Sequence, residues 1–199
     1  MSSKRLSLLL PLVLVLAAAV FRYFKLGHGM VVPALENFAP WMALAFTGTL
    51  VFSKRVPFLA LPLLLVAIDL AATGLRGVMH KEAVAVYGLF ALAAWFASRQ
   101  RGRIGIVGGL LGVIGCSLAF YLVTNTVSWL TDPNYAKTFA AWTQAMTTGL
   151  PGLPPTIWFL RNSLLSDLAF SCLLLAAYNT EASLRREERI PVLRALASH

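Results

Sequence analysis

Charge is scarce in this 199-residue chain: charged residues make up 13%, against about a quarter in soluble domains. Acidic side chains are the scarcest, 8 Asp and Glu against 17 Lys and Arg. The shortage excludes an ordinary water-solvated surface and leaves lipid as the solvent around most of the chain. Metal-binding residue types are few as well, with 3 histidines and 2 cysteines, whereas a closed zinc site normally takes about four ligands. Cys116 and Cys172 both fall in apolar runs without zinc-type spacing, where a free cysteine behaves as a small hydrophobe. The chain lacks GxSxG, HExxH and Walker A motifs, and without a Walker A motif a transporter built from it cannot use ATP itself. It also lacks a basic face with interleaved aromatics, which excludes nucleic acid as a partner despite a formal charge of +9.

What is abundant is apolar sequence: 58% hydrophobic residues and a mean hydropathy of +0.74. A bilayer crossing takes about 20 apolar residues as a helix. The pattern predicts an all-α integral membrane protein, a single domain over 1–199, with six transmembrane helices near 6–24, 40–52, 57–73, 83–97, 104–125 and 156–178. The first run begins like a signal peptide, but Arg22, Tyr23 and Phe24 stand where a small-residue cleavage site would be, so it reads as a retained helix, kinked early by Pro11. Glycines 105, 108, 109, 112 and 115 suit close helix approach in the fifth run. The long connection before the last helix alternates polar and apolar residues over 135–146 and predicts an amphipathic or re-entrant segment. With six crossings, 11 of the 17 Lys and Arg residues lie on the side of the termini. Positive residues concentrate in the cytoplasm, so both termini are predicted inside and the loops carrying His28 and His80 outside.

Polar chemistry gathers between Asp69 and Tyr87, where one apolar run gives way to a short loop carrying Arg76, His80, Lys81 and Glu82. His28 and His80 read either as exposed loop residues or as ligands, since one imidazole can serve a metal already held by a macrocycle. Asp69 sits in apolar sequence, where a carboxylate needs a partner or a polar cavity; Arg76, about two helical turns on, is a candidate partner. Tyr87 reads as an interfacial anchor or as a hydroxyl facing the loop. Arg161, Asn162 and Asp167 open the last run, with Asp167 accepting from Ser163 or from a neighbouring helix. Trp129, Tyr135, Trp142 and Trp158 suit an interfacial belt or the wall of a pocket for a ring-containing ligand.

The runs ENFAPWMALAFTG, NYAKTFAAWTQAMTTGLPG and WFLRNSLLSDLAFSCLLLAAY resemble the S-components of energy-coupling-factor vitamin transporters, and within them the BtuM-like solitary S-components associated with cobalamin uptake. The resemblance covers most of residues 30–180. It implies an S-component-like bundle in the bacterial cytoplasmic (inner) membrane and a corrinoid held near the outer surface, and leaves open whether an energy-coupling transmembrane and ATPase module is a partner. In such proteins a loop cysteine ligates cobalt and assists removal of cyanide; here the residue at that place is His80, which keeps axial coordination to cobalt open and puts thiol-dependent decyanation in doubt. The ligand-binding candidates are then His28, Asn37, Asp69, Arg76, Tyr87, Trp142 and Arg161, with cobalamin as the bound substrate and no independent metal site. Small residues Ala17, Ala18 and Ala19 could dock the coupling partner, but Phe21 breaks the AxxxA repeat. The alternatives are an S-component for another small vitamin or a metal ion, and a membrane enzyme that modifies the axial ligand of cobalamin.

Overall fold

Each apolar run becomes helix because backbone polar groups in a hydrocarbon solvent must be satisfied within the segment. The computed structural model describes residues 8–29, 39–52 and 56–193. In chain order these form α1 (Leu9–Gly27), a π-helical segment (Ala43–Gly48) running directly into α2 (Thr49–Val51), α3 (Ala60–Val78), α4 (Ala83–Gln100), α5 (Ile106–Thr131), α6 (Phe139–Met146) and α7 (Thr156–Arg185). There is no strand among the described residues. Four helices, α1, α3, α5 and α7, are long and apolar enough to cross a membrane. Their outward faces carry large apolar side chains, among them Leu12, Leu16 and Val20 of α1 and Leu111, Leu118 and Leu122 of α5, as a lipid-facing surface requires.

The elements differ from the expected bounds where polar residues find partners. α7 runs past Tyr178 to Arg185 because Glu181, buried there, accepts from the Leu10 backbone N–H at 3.0 Å and pairs with Arg185 at 3.2 Å. The first-turn donor of α1, otherwise orphaned, is thus met by a carboxylate at the positive end of the helix dipole. α7 ends at Arg186 in a left-handed conformation. The following chain folds back, so that the Ile106 and Val107 N–H groups donate to Pro191 O (2.8 Å) and Val192 O (3.1 Å) and cap the start of α5. A Cβ at Gly105 would meet Pro191 O at 2.5 Å. Pro11 does not kink the body of α1: it sits in the first turn, where a missing N–H costs nothing, and Pro62 does the same in α3. The sharp break lies instead at Gly74, whose φ of 68° and ψ of −172° interrupt α3.

Side-chain pairings fix the directions of the helices. Arg22 with Asp69, and Gly27 facing Ala72 further on, run α1 parallel to α3. Ser117 with Asp167 and Gly109 beside Leu175 run α5 antiparallel to α7; the stacked rings of Phe90 and Phe120, 5.3 Å apart, and the Phe46 ring lodged between Phe96 and Gly112 run α4 antiparallel to α5. At the centre stands the π-helical segment, buried at every position. Its Phe46 ring fills the space left by Gly112, where a Cβ would come within 2.3 Å of the ring, and Thr47 Oγ1 shares a hydrogen bond with Ser171 Oγ at 2.7 Å.

Candidate functional site

The C-terminal ends of α1, α3 and α5 and the N-terminal ends of α4 and α7 meet at one end of the bundle. Between them lies a cavity of about 290 Å³. Its walls come from Arg22 of α1, Ala39, Trp41 and Met42 before the π-helical segment, Val86 and Phe90 of α4, Ser117, Phe120, Tyr121, Thr124 and Asn125 of α5, and Phe159, Leu160, Ser163 and Asp167 of α7.

Two polar clusters meet this cavity. In the first, Arg22 donates through Nε and Nη2 to both oxygens of Asp69, the paired geometry that suits guanidinium to carboxylate. Tyr87 Oη also donates to Asp69 Oδ2, at 2.8 Å. The Arg22 guanidinium lies 3.9 Å from the centre of the Trp41 ring, a cation–π contact. Both charges are buried and each neutralises the other, so this cluster ties α1, α3 and α4 together without excess charge.

The second cluster centres on Asp167, which is 2% exposed. Oδ1 accepts from the Ala43 N–H at 3.0 Å, and Oδ2 lies 2.7 Å from Ser117 Oγ. The acid therefore caps the π-helical segment from a different helix. Ser117 Oγ also lies 2.9 Å from Val113 O, and its one proton serves one acceptor at a time. Given to Asp167, it leaves both carboxylate oxygens accepting; given to Val113, it requires Asp167 to carry a proton of its own. No Lys or Arg forms an ion pair with Asp167 among the described residues. One turn beyond Ser117 on α5, Tyr121 donates to Met146 O and locks α6 against the bundle.

A family model described as a family of unknown function, DUF6580, matches residues 2–189. The chain belongs to the DUF6580 family. No curated protein and no solved structure matches it.

In this DUF6580 protein the sequence-derived candidates divide into three groups. Asp69 and Tyr87 are brought together, but with Arg22: the helix on which Arg76 could have approached Asp69 breaks at Gly74, and Arg76 is exposed. His80 is exposed on the loop between α3 and α4, with Nδ1 3.2 Å from Glu82 Oε2. His28 is exposed beyond α1 and stacks on Phe24 at 5.4 Å. Among the described residues no three of His, Cys, Asp and Glu gather as a metal-binding group. Trp142 donates to Thr126 Oγ1 at 3.1 Å and stacks on Phe139, facing α5 rather than the cavity. Arg161 donates to Asn162 at 3.2 Å and lies over Trp158, and it too is no part of the cavity wall. Asn37 lies outside the described residues.

Sequence reasoning gave Asp167 a structural role and passed over Arg22, Trp41 and Ser117 as site residues. For Arg22 a signal existed: a basic residue near the end of the first apolar run and an acid near the end of the third lie at matching depth when both runs cross the same way. For Ser117 no local signal exists, because a serine in a glycine-rich membrane helix reads as a packing residue.

Proposed function

We propose that this DUF6580 protein is a solute-binding membrane transport protein of S-component type, which takes a small, vitamin-sized molecule at the cavity between α1, α4, α5 and α7. The observation that carries this reading is the cavity itself: about 290 Å³, just below the roughly 300–1,000 Å³ typical of ligand pockets, with aromatic walls and a few convergent polar groups. In this reading six helices cross the bacterial cytoplasmic membrane, with α4 and the 40–52 helix joining the four long ones, and both termini lie in the cytoplasm. The charge distribution supports that orientation, since Arg99, Arg101, Arg103, Arg185, Arg186 and Arg189 all lie at the end of the bundle opposite the cavity. The cavity then faces outward, and an energy-coupling membrane and ATPase module is the proposed partner for release inward. The test is mass spectrometry of small molecules released when the protein, purified from membranes in mild detergent, is denatured. A single solute near one equivalent is expected; a protein that releases nothing and binds no small solute overturns the reading.

A second reading, cobalamin uptake with His80 axial to cobalt, is favoured by one observation: His80 is exposed at the same end of the bundle as the cavity. A corrinoid is far larger than the cavity, so it would have to rest on the outer loops. Its test is the visible spectrum of protein mixed with cobalamin, which changes on histidine ligation and, under this reading, loses that change in His80→Ala.

A further inference from the structure

The charges around the cavity do not balance, and the imbalance has a sign. Arg22 is spent on Asp69, with both carboxylate oxygens engaged. Asp167 receives only neutral donors, the backbone N–H groups of Ala43 and Met42 and the Ser117 hydroxyl. An ionised carboxylate removed from water is costly unless a counter-charge reaches it. Nothing cationic in the described chain does so. The two proton positions open to Ser117 allow a neutral arrangement in which Asp167 carries a proton and the Ser117 hydroxyl turns to Val113. The same carboxylate can give up that proton to solvent and accept another cation in its place, with Ser117 turning back to donate.

The rest of the wall suits an organic cation. Phe90, Phe120, Tyr121 and Phe159 line the cavity together with Trp41. Aromatic faces attract a cation through the ring quadrupole, and aromatic cages are a recurring solution for alkylated ammonium groups, which cannot satisfy a hydrogen-bonding site. Trp41 already performs this role for Arg22 at 3.9 Å. We propose that the cavity's ligand is a small organic cation, an alkylated ammonium or N-alkylated heteroaromatic ring, held with its charge against the Asp167 carboxylate and its body among the aromatic rings. This rests on the solute-binding reading above and names the class of solute.

The experiment compares charge at nearly constant shape. Binding of 1-methylnicotinamide and benzyltrimethylammonium, both cations, is measured by calorimetry on the purified, detergent-solubilised full chain, beside the neutral nicotinamide and the anionic nicotinate. At least one cation is expected to bind ten-fold or more tightly than the neutral and anionic probes, and Asp167→Asn is expected to remove that preference. The comparison among probes on the unaltered protein does not depend on whether the variant folds. Equal or tighter binding of nicotinamide or nicotinate, no binding of either cation at millimolar concentration, or a preference that survives in folded Asp167→Asn would each overturn the proposal. If a neutral or anionic solute is instead found in the purified protein, the charge assignment fails while the solute-binding reading stands; if no solute of any charge binds, both fail.

Discussion

Replacing Asp69 by Asn leaves the shape of the first polar cluster almost intact and removes one charge. The structure sets the size of the effect. The Arg22 and Asp69 side chains are only 9% and 5% exposed, so water cannot replace the lost carboxylate, and Arg22 keeps only the Trp41 face and a neutral amide. Breaking a buried pair by removing one partner costs about 3–5 kcal/mol. In a chain of this length each kcal/mol moves the melting temperature by about 2–4 °C, so Asp69→Asn should melt roughly 6–20 °C lower. A variant in which the whole cluster is made apolar, Arg22→Met with Asp69→Leu and Tyr87→Phe, should recover most of that loss, because no charge or hydroxyl is then left unpaired. The assay is intrinsic tryptophan fluorescence on heating in detergent, with 5 tryptophans as reporters. A fall of less than about 3 °C for Asp69→Asn, or a triple variant no more stable than the single one, would refute the reasoning that the pair is buried and mutually neutralised.

Other consequences follow from close contacts and backbone geometry. Gly112→Ala places a Cβ within 2.3 Å of the Phe46 ring; overpacking of this kind costs about 1–3 kcal/mol, and adding Phe46→Leu should restore part of it in the same melting assay. Gly74 adopts φ 68° and ψ −172°, a region essentially reserved for glycine, so Gly74→Ala should destabilise by about 1–3 kcal/mol although it has open space around it. Thr47→Val should cost about 1 kcal/mol, chiefly by leaving the buried Ser171 hydroxyl without its partner, and the double change with Ser171→Ala should cost less than the sum of the single ones. For orientation, a cysteine at His80 should react with a membrane-impermeant maleimide on intact cells and one at Arg186 only after lysis; the reverse pattern would invert the proposed topology.

The helical class and the membrane solvent were legible in the sequence because they follow from long-range averages of hydropathy and from the shortage of charge. Helix ends were less so. α7 continues through Glu181 because a backbone N–H on α1, that of Leu10, donates to that acid, a fact held by a residue far away in the chain. The importance of Asp69 and Tyr87 was readable, since an acid in apolar sequence demands a partner, but the choice of Arg22 over Arg76 depended on a break at Gly74. A single glycine in an apolar run reads equally as close packing or as a break. Asp167 shows the limit most clearly. Its sequence neighbours offered Ser163 as a partner, one turn away, whereas the fold brings Ser117 of α5 and the Ala43 N–H of the π-helical segment, and with them the cavity.

The claim that the cavity is an outward-facing solute site is tested most directly by binding of the solute recovered from the purified protein to right-side-out membrane vesicles. Labelled solute should bind vesicles containing the protein and be lost in Ser163→Trp, a variant that fills the cavity from α7. Binding that appears only in inside-out vesicles, or that Ser163→Trp leaves unchanged in a folded protein, would contradict the account.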